Sequence, residues 1–285
     1  MQFAAPSPLE YFASLVADDG SLNLLEAAIS LAQDEQPDLD VQSVLAEVDA
    51  LSLRLRRRLT PDTVPAERLR LLLQFFHGEL GFAGNLNDYY AAENSYVHRV
   101  LVTRRGIPIT LGVLLLELAE QAGLRASGVA FPGHFLVKVR MGLGEVVIDP
   151  FTGDELSTSR LDERLAVYRR ASQWPADLDL PLEFFLRPAA PRQILARMLR
   201  NLREVHRAAG DMPRQLAVQH RLVCLLPDDP VERRERGGLL EQVGDMQAAA
   251  DDFGVYLQQR ADAADAEDIR SRLAALRRRP PQALQ

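Results

Sequence analysis

The residues best suited to chemistry in this sequence are a histidine and an aspartate fifteen positions apart. His134 lies within Phe131-Pro132-Gly133-His134-Phe135-Leu136-Val137, and Asp149 opens Asp149-Pro150-Phe151. An imidazole exchanges protons near neutral pH, and a carboxylate bonded to it fixes its orientation and stabilises its charged form. Such a pair serves a nucleophile. Two hydroxyls are candidates: Thr110, at the start of an apolar segment, and Ser95, in the loop before it. Each residue also has an ordinary reading, with Thr110 as a helix cap, Ser95 bonded to its loop, and His134 and Asp149 as strand residues satisfied locally. A metal centre of His134, Asp149 and His98 lacks tight ligand spacing, so neither a metal nor a cofactor is expected.

The elements around the pair follow from periodicity. From Ala126 the apolar residues recur every second position, which predicts strands over 127–131, 134–140 and 145–149 in an antiparallel meander. If the turn Met141-Gly142-Leu143-Gly144 pairs Met141 with Gly144, Asp149 falls opposite Leu136. His134 then shares that sheet face, diagonally adjacent at about 7–8 Å between backbones. A hydrogen bond between the two side chains is within reach.

Before the strands, Leu111 to Ala119 is apolar on all sides and predicts a buried central helix ending at Gly123. The loop containing Gly81, Gly84, Asn85, Tyr89, Tyr90 and Asn94 lacks the Gly-Lys-Ser/Thr of a phosphate cradle and reads as structured and tyrosine-packed. Four helices are expected upstream: one capped by Ser7 and ending near Gly20, one from about Asn23 to Asp34, one capped by Asp40 with Val41, Val44, Leu45, Val48 and Leu51 inward, and one around Leu69 to Phe76 that stops at Gly78.

After the strands, 156–191 holds Trp174, Phe184, Phe185 and the prolines 175, 181, 188 and 191, and predicts a short helix followed by an extended strap. Beyond it Gly210-Asp211-Met212 recurs as Gly244-Asp245-Met246. The offset of 34 residues is the tetratricopeptide period. In the second copy Ala249 and Phe253 fall at packing positions, and Ile269, Leu273 and Leu276 mark a closing helix.

Composition narrows the function classes. With net charge -7 and pI near 5.4, duplex nucleic acid would have to be held against the overall field. The arginine runs 56–58 and 277–279 read as solvated helix faces. Cys224 is the single cysteine, which excludes an intramolecular disulfide and suits a small buried helix residue. No leader opens the chain and no run of eighteen apolar residues occurs, so a soluble cytoplasmic protein without membrane or nucleic-acid partners is expected.

The order of apolar helix, strand, Pro-Gly-His-Phe, strand and Asp-Pro resembles the transglutaminase-like, papain-related core. More closely, Asn94-Ser95, Arg105-Gly106-Ile107-Pro108-Ile109-Thr110-Leu111, Phe131 to Phe135, Asp149-Pro150-Phe151 with Gly153, Arg197-Met198-Leu199-Arg200-Asn201-Leu202, Arg233 and Arg236-Gly237 look like the bacterial SirB-type family. Its members carry this core followed by tetratricopeptide repeats. The resemblance implies that a cysteine would open the central helix, with His134 as its base and Asp149 orienting the base. Counting back from Gly123 puts that cysteine at or near Pro108, and residues 107–111 contain none.

The expected fold is α+β: a helical N-terminal bundle and transglutaminase-like core with a small antiparallel sheet over residues 1–187, then all-α tetratricopeptide-like hairpins over 188–285. The expected function is a non-catalytic, protein-interacting or regulatory module that meets a protein or peptide through its repeats. The competing expectation is a hydrolase or acyl transferase using Thr110 or Ser95 with His134 and Asp149. Oligomeric state, substrate and pathway are left open.

Overall fold

A computed structural model describes residues 6–142, 144–172 and 180–278. Leu143 of the expected turn, Trp174 and Pro175 of the expected strap, and Arg279 lie outside them.

In chain order the helices are α1 (Pro8–Leu15), α2 (Leu24–Ser30), α3 (Val41–Arg56), α4 (Pro65–Leu73), α5 (Val97–Thr103), α6 (Pro108–Gln121), α7 (Thr158–Ala171), α8 (Leu182–Phe185), α9 (Pro191–Ala208), α10 (Met212–Leu225), α11 (Pro230–Val243), α12 (Met246–Gln259) and α13 (Ala266–Arg278). The strands are β1 (Ala83–Gly84), β2 (Arg105–Gly106), β3 (Arg125–Val129), β4 (Leu136–Arg140), β5 (Glu145–Ile148) and β6 (Glu155–Leu156). The chain is α+β and divides into two compact units, Leu15–Met198 and a second made of Met1–Ser14 with Leu199–Gln285.

In the first unit the expected start signals operate. Asn23 accepts the Glu26 amide at 3.0 Å, and Asp40 accepts those of Gln42 and Ser43. The helix ends differ from expectation. The second helix tightens to a 3₁₀ turn over Leu31–Asp34, and the fourth does not stop at Gly78 but passes through it as a π-helical segment, Gln74–Glu79. Leu45, expected inward on α3, is half-buried.

The central helix α6 is buried along Pro108 to Leu115 and again at Leu118 and Ala119. It packs against β3 and β4. The sheet contains the expected antiparallel meander as β3-β4-β5, with β3 lying two residues earlier than expected and β4 starting at Leu136 rather than His134. It adds β6 at its edge, and Val137 is opposite Ile148 and Arg140 opposite Glu145. The Met141 amide donates to the Gly144 carbonyl at 2.8 Å, so the assumed turn pairing and register hold. β4 is buried from Leu136 to Val139 because both sheet faces are covered. Phe135 meets α6, whereas Leu136, Val147 and Leu156 form a cluster with Leu161 and Leu165 of α7 and Leu182 of α8.

That covering helix is the main departure. α7 spans 14 residues, capped where Ser157 Oγ accepts the Arg160 amide, and is not the short helix expected. Beyond α7 the described residues form the single turn α8 and a bridge between Val129 and Pro188, not a plain extended strap.

The second unit is helical hairpins. Gly210 and Gly244 both adopt positive φ, 68° and 90°, and the following aspartates cap the next helices in the same way. Asp211 accepts the Arg214 amide and Asp245 that of Ala248, each at 3.1 Å. The 34-residue repetition is therefore a repeated structural joint. Ala249 and Phe253 are fully buried, and Ile269, Leu273 and Leu276 of α13 close the same cluster. Two buried acids tie helices within this unit: Glu232 to Arg200, Arg203 and Gln219, and Asp252 to Arg236 and Arg233. Helix α1 belongs here too, with the guanidinium of buried Arg221 4.9 Å from the Phe12 ring centre. It is one turn shorter than expected, ending at Leu15. Cys224 on α10 is half-buried rather than fully buried.

Candidate functional site

His134 sits in the turn that feeds β4, where its amide donates to the Phe131 carbonyl at 3.0 Å. Asp149 follows directly on β5, and Pro150 after it has no amide to continue the ladder. The two side chains meet as the register predicts, His134 Nε2 lying 2.8 Å from Asp149 Oδ1.

Asp149 is 1% exposed, so its charge depends on internal partners. Oδ1 also accepts the Phe151 amide at 3.0 Å, and Oδ2 accepts Arg164 Nη1 at 2.8 Å. Burial by itself would raise the Asp149 pKa. The hydrogen bond and charge of His134, the Arg164 guanidinium and the Phe151 amide outweigh it and hold the carboxyl below its usual range. Sequence reasoning missed Arg164. The signal was present in Ser157 as a cap followed by Leu161 and Leu165 four apart, which places Arg164 on the flank of a helix covering the sheet.

The pair opens onto a cleft of about 760 Å³. Phe131, Pro132, Phe151 and Val167 give it an apolar wall, and Arg160, Glu163, Arg164 and Tyr168 of α7 supply its polar side. Close packing holds the residues on either side of His134. The Phe135 ring lies where a Cβ on Gly112 would come within 2.5 Å, and Tyr168 packs 3.2 Å from where a Gly133 Cβ would stand.

The structure brings His134 and Asp149 together, and the two hydroxyl candidates do not line the cleft onto which they open. Thr110 is not the cap of α6: Ile107 takes that position without a side-chain bond, and Thr110 lies inside the helix at 0% exposure. Its Oγ1 has no hydrogen-bond partner among the described residues. Ser95 ends a 3₁₀ turn, Ala92–Ser95, at 2% exposure. Neither residue, nor any other from 107 to 111, lines the cleft. Ser95's loop is built from amides: Asn94 Nδ2 donates to the carbonyls of Asp88 and Tyr89, and Asn85 Nδ2 donates to Asn94 Oδ1. Tyr90, expected to pack in that loop, is 80% exposed, and Tyr89 stands edge-on to it.

His98, a ligand candidate by residue type, is on α5 in a separate hollow with Glu35, Glu93 and Tyr96. Among the described residues no group of three histidine, cysteine or acidic side chains is placed to hold a metal. None of the described helices is long and apolar enough to cross a membrane.

Residues 42–200 match the transglutaminase-like superfamily, and residues 202–274 match a tetratricopeptide repeat family. A UPF0162 protein of Xylella fastidiosa (strain Temecula1) is 33% identical over 260 residues, covering 91% of this chain and 92% of its own. A UPF0162 protein of Pseudomonas aeruginosa is 31% identical, covering 79% and 80%, and UPF0162 protein YchA of Escherichia coli K12 is 25% identical, covering 88% and 91%. Among solved structures, menin aligns over 94% of this chain and 69% of its own with TM-score 0.44 and 12% identity, too distant to carry an argument.

Proposed function

The chain belongs to the UPF0162 family and to the transglutaminase-like superfamily, and from that premise we propose that it is a non-catalytic, SirB-type protein whose repeats dock a protein or peptide partner in the cytoplasm. The observation that carries this reading is the missing nucleophile. Residues 107–111 hold no thiol, and the hydroxyls of Thr110 and Ser95 are buried away from the cleft that contains His134 and Asp149. A base without a group to activate leaves a binding cleft, not a reaction centre.

The repeats support the interaction half of the proposal. Tetratricopeptide hairpins stack to present a groove to peptides. The second unit contains a hollow of about 390 Å³ lined by side chains of both signs, including Arg207, Gln215, Glu235 and Gln242. The test is pull-down from bacterial lysate with the full-length protein beside a folded Arg207→Glu, Glu235→Lys double variant. A partner captured by the parent and lost by the variant supports the reading. No capture above the control, or equal capture by both, refutes it.

The 2.8 Å His134–Asp149 bond favours one alternative, a hydrolase or acyl transferase drawing on Thr110 or Ser95. It requires labelling by a fluorophosphonate probe that His134→Ala abolishes. Labelling indifferent to that substitution removes it.

A further inference from the structure

We propose that the cleft beside His134 binds the amino-terminal residue of a peptide. Glu163 takes the ammonium, His134 Nδ1 accepts the first amide N–H, and Phe131, Pro132, Phe151 and Val167 receive an apolar side chain. The proposal rests on the reading of this cleft as a binding site without a nucleophile. It does not depend on the repeats docking a partner.

It starts from the charges that line the cleft. Arg164 is held by Asp149 at 2.8 Å, and Arg160 by Asp154 at 3.3 Å. Glu163 differs. Among the described residues its carboxylate receives one long contact, from Ser159 Oγ at 3.4 Å, and no basic side chain stands within ion-pair distance of it. With the imidazole neutral, the carboxylates of Asp149, Asp154 and Glu163 outnumber the two guanidiniums by one, so the cleft has a single negative charge to offer a ligand. One cation fits that remainder, and an anion is repelled by it.

His134 supplies a second acceptor. Its Nε2 lies 2.8 Å from Asp149 Oδ1, and an ionised carboxylate only accepts, so the ring proton sits on Nε2. Nδ1 then carries the lone pair, and no group among the described residues bonds it. The side chain is 24% exposed and lines the cleft. Arg164, next to Glu163 on α7, reaches the other oxygen of Asp149, which ties that flank of the helix to the imidazole.

Two acceptors of different kind select the ligand. Between them the lining is apolar at Phe131, Pro132, Phe151 and Val167, and Val167 stands one helical turn beyond Glu163 on the same flank of α7. A fitting ligand brings a cation, a neutral N–H donor and an apolar group within the reach of one residue. The amino-terminal residue of a peptide has that composition, because its ammonium and side chain share one carbon and the next amide N–H is two bonds further on. A free arylalkylamine and a lysine side chain offer the ammonium without that second donor.

Calorimetric titration of the full-length protein with Phe-Gly-amide, its N-acetyl derivative, phenethylamine and the anion N-acetylphenylalanine tests the proposal. Phe-Gly-amide is expected to bind about threefold to fivefold more tightly than its acetylated form, the size of one solvent-accessible ion pair, and the difference should shrink in high salt. Glu163→Gln should abolish that preference, Glu163→Asp keep part of it, and Val167→Ser weaken the free and acetylated peptides alike. Both positions are exposed, so each variant is expected to fold. Phe-Gly-amide tighter than phenethylamine supports a chain end as the ligand. Conversion of the bound peptide, followed by mass spectrometry, would support the ligand class while overturning the non-catalytic reading. A free peptide bound no better than the acetylated one, phenethylamine bound as tightly as the peptide, tighter binding of the anion, an undiminished preference in a folded Glu163→Gln, or no saturable binding of the peptide would each overturn the proposal.

Discussion

Phe135 is gripped between two glycines: its ring lies 2.5 Å from where a Cβ on Gly112 of α6 would stand, and 2.6 Å from the corresponding point on Gly128 of β3. The side chain next to His134 is thereby pinned to the central helix and to the neighbouring strand. The position of the histidine follows from packing as well as from hydrogen bonding.

Gly112→Ala is accordingly expected to destabilise the protein. Alanine gains about 1 kcal/mol of helix propensity over glycine, but overpacking a ring that is 1% exposed costs about 1–3 kcal/mol. The same holds for Gly128→Ala, which also meets Ile194 at 2.8 Å. Denaturant unfolding of both variants measures it, and a Gly112→Ala protein more stable than its parent would refute the grip.

Asp149→Asn tests the buried carboxylate. It leaves His134 and Arg164, which are 24% and 33% exposed at the side chain, with a weaker common partner, and should cost about 1–3 kcal/mol. The folded Asp149 pKa is depressed, so its stabilisation is complete above the pKa of the unfolded chain and declines as pH falls through the folded value. The melting difference between parent and variant should therefore be full at neutral pH and shrink below about pH 4. A difference that grows on acidification contradicts the assignment.

His77 supplies a second acid-sensitive element. Burial holds its pKa below the usual imidazole range, against the opposing pull of the Phe82 carbonyl, Asp149 and Asp154. The unfolded chain takes up the proton first, so stability present above about pH 6.5 is lost as pH falls. His77→Asn keeps a donor for the Phe82 carbonyl, which lies 2.8 Å from Nδ1, and should flatten that decline in thermal melts. An unchanged slope would assign the decline elsewhere, with half-buried His98, also shifted down by burial, as the next group to replace.

The two aspartate joints of the repeats should respond alike. Asp211→Ala and Asp245→Ala each remove a side-chain acceptor from a helix start and are expected to cost about 0.5–2 kcal/mol. Gly244→Ala forces a Cβ into a φ of 90° and should cost about 1 kcal/mol or more. Thermal unfolding of the three variants checks the equivalence, and a silent Asp245→Ala would show that the repeated tripeptide is not a structural joint.

Much of this was written in local pattern. Alternation of side chains every two residues gave the meander and its register, and with them the meeting of His134 and Asp149. All-round apolarity marked α6 as buried, and a recurring Gly-Asp-Met marked the hairpin joints. These features depend on neighbours a few residues apart, where one strand register or one helical turn settles the geometry. Thr110 misled because its place near a helix start suggested a cap, whereas Ile107 and Pro108 begin the helix one turn earlier and bury the hydroxyl.

Tertiary structure decided what surrounds the pair. Arg164 stands fifteen residues beyond Asp149, and Arg197 sixty-six beyond Phe131. Neither separation corresponds to a period, so no local pattern brings Arg164 to Asp149 or Arg197 to the Phe131 carbonyl. They arrive because α7 must cover the apolar face of Leu136, Val147 and Leu156, and because α9 carries Arg197 to the Phe131 carbonyl. The sequence by itself determined the transglutaminase-like and tetratricopeptide assignments, the repeat joints and the His134–Asp149 pair. The fold determined that the cleft is walled by arginine and tyrosine, with the hydroxyls of Thr110 and Ser95 sealed in the core, because burial and charge pairing depend on helices packed from far along the chain.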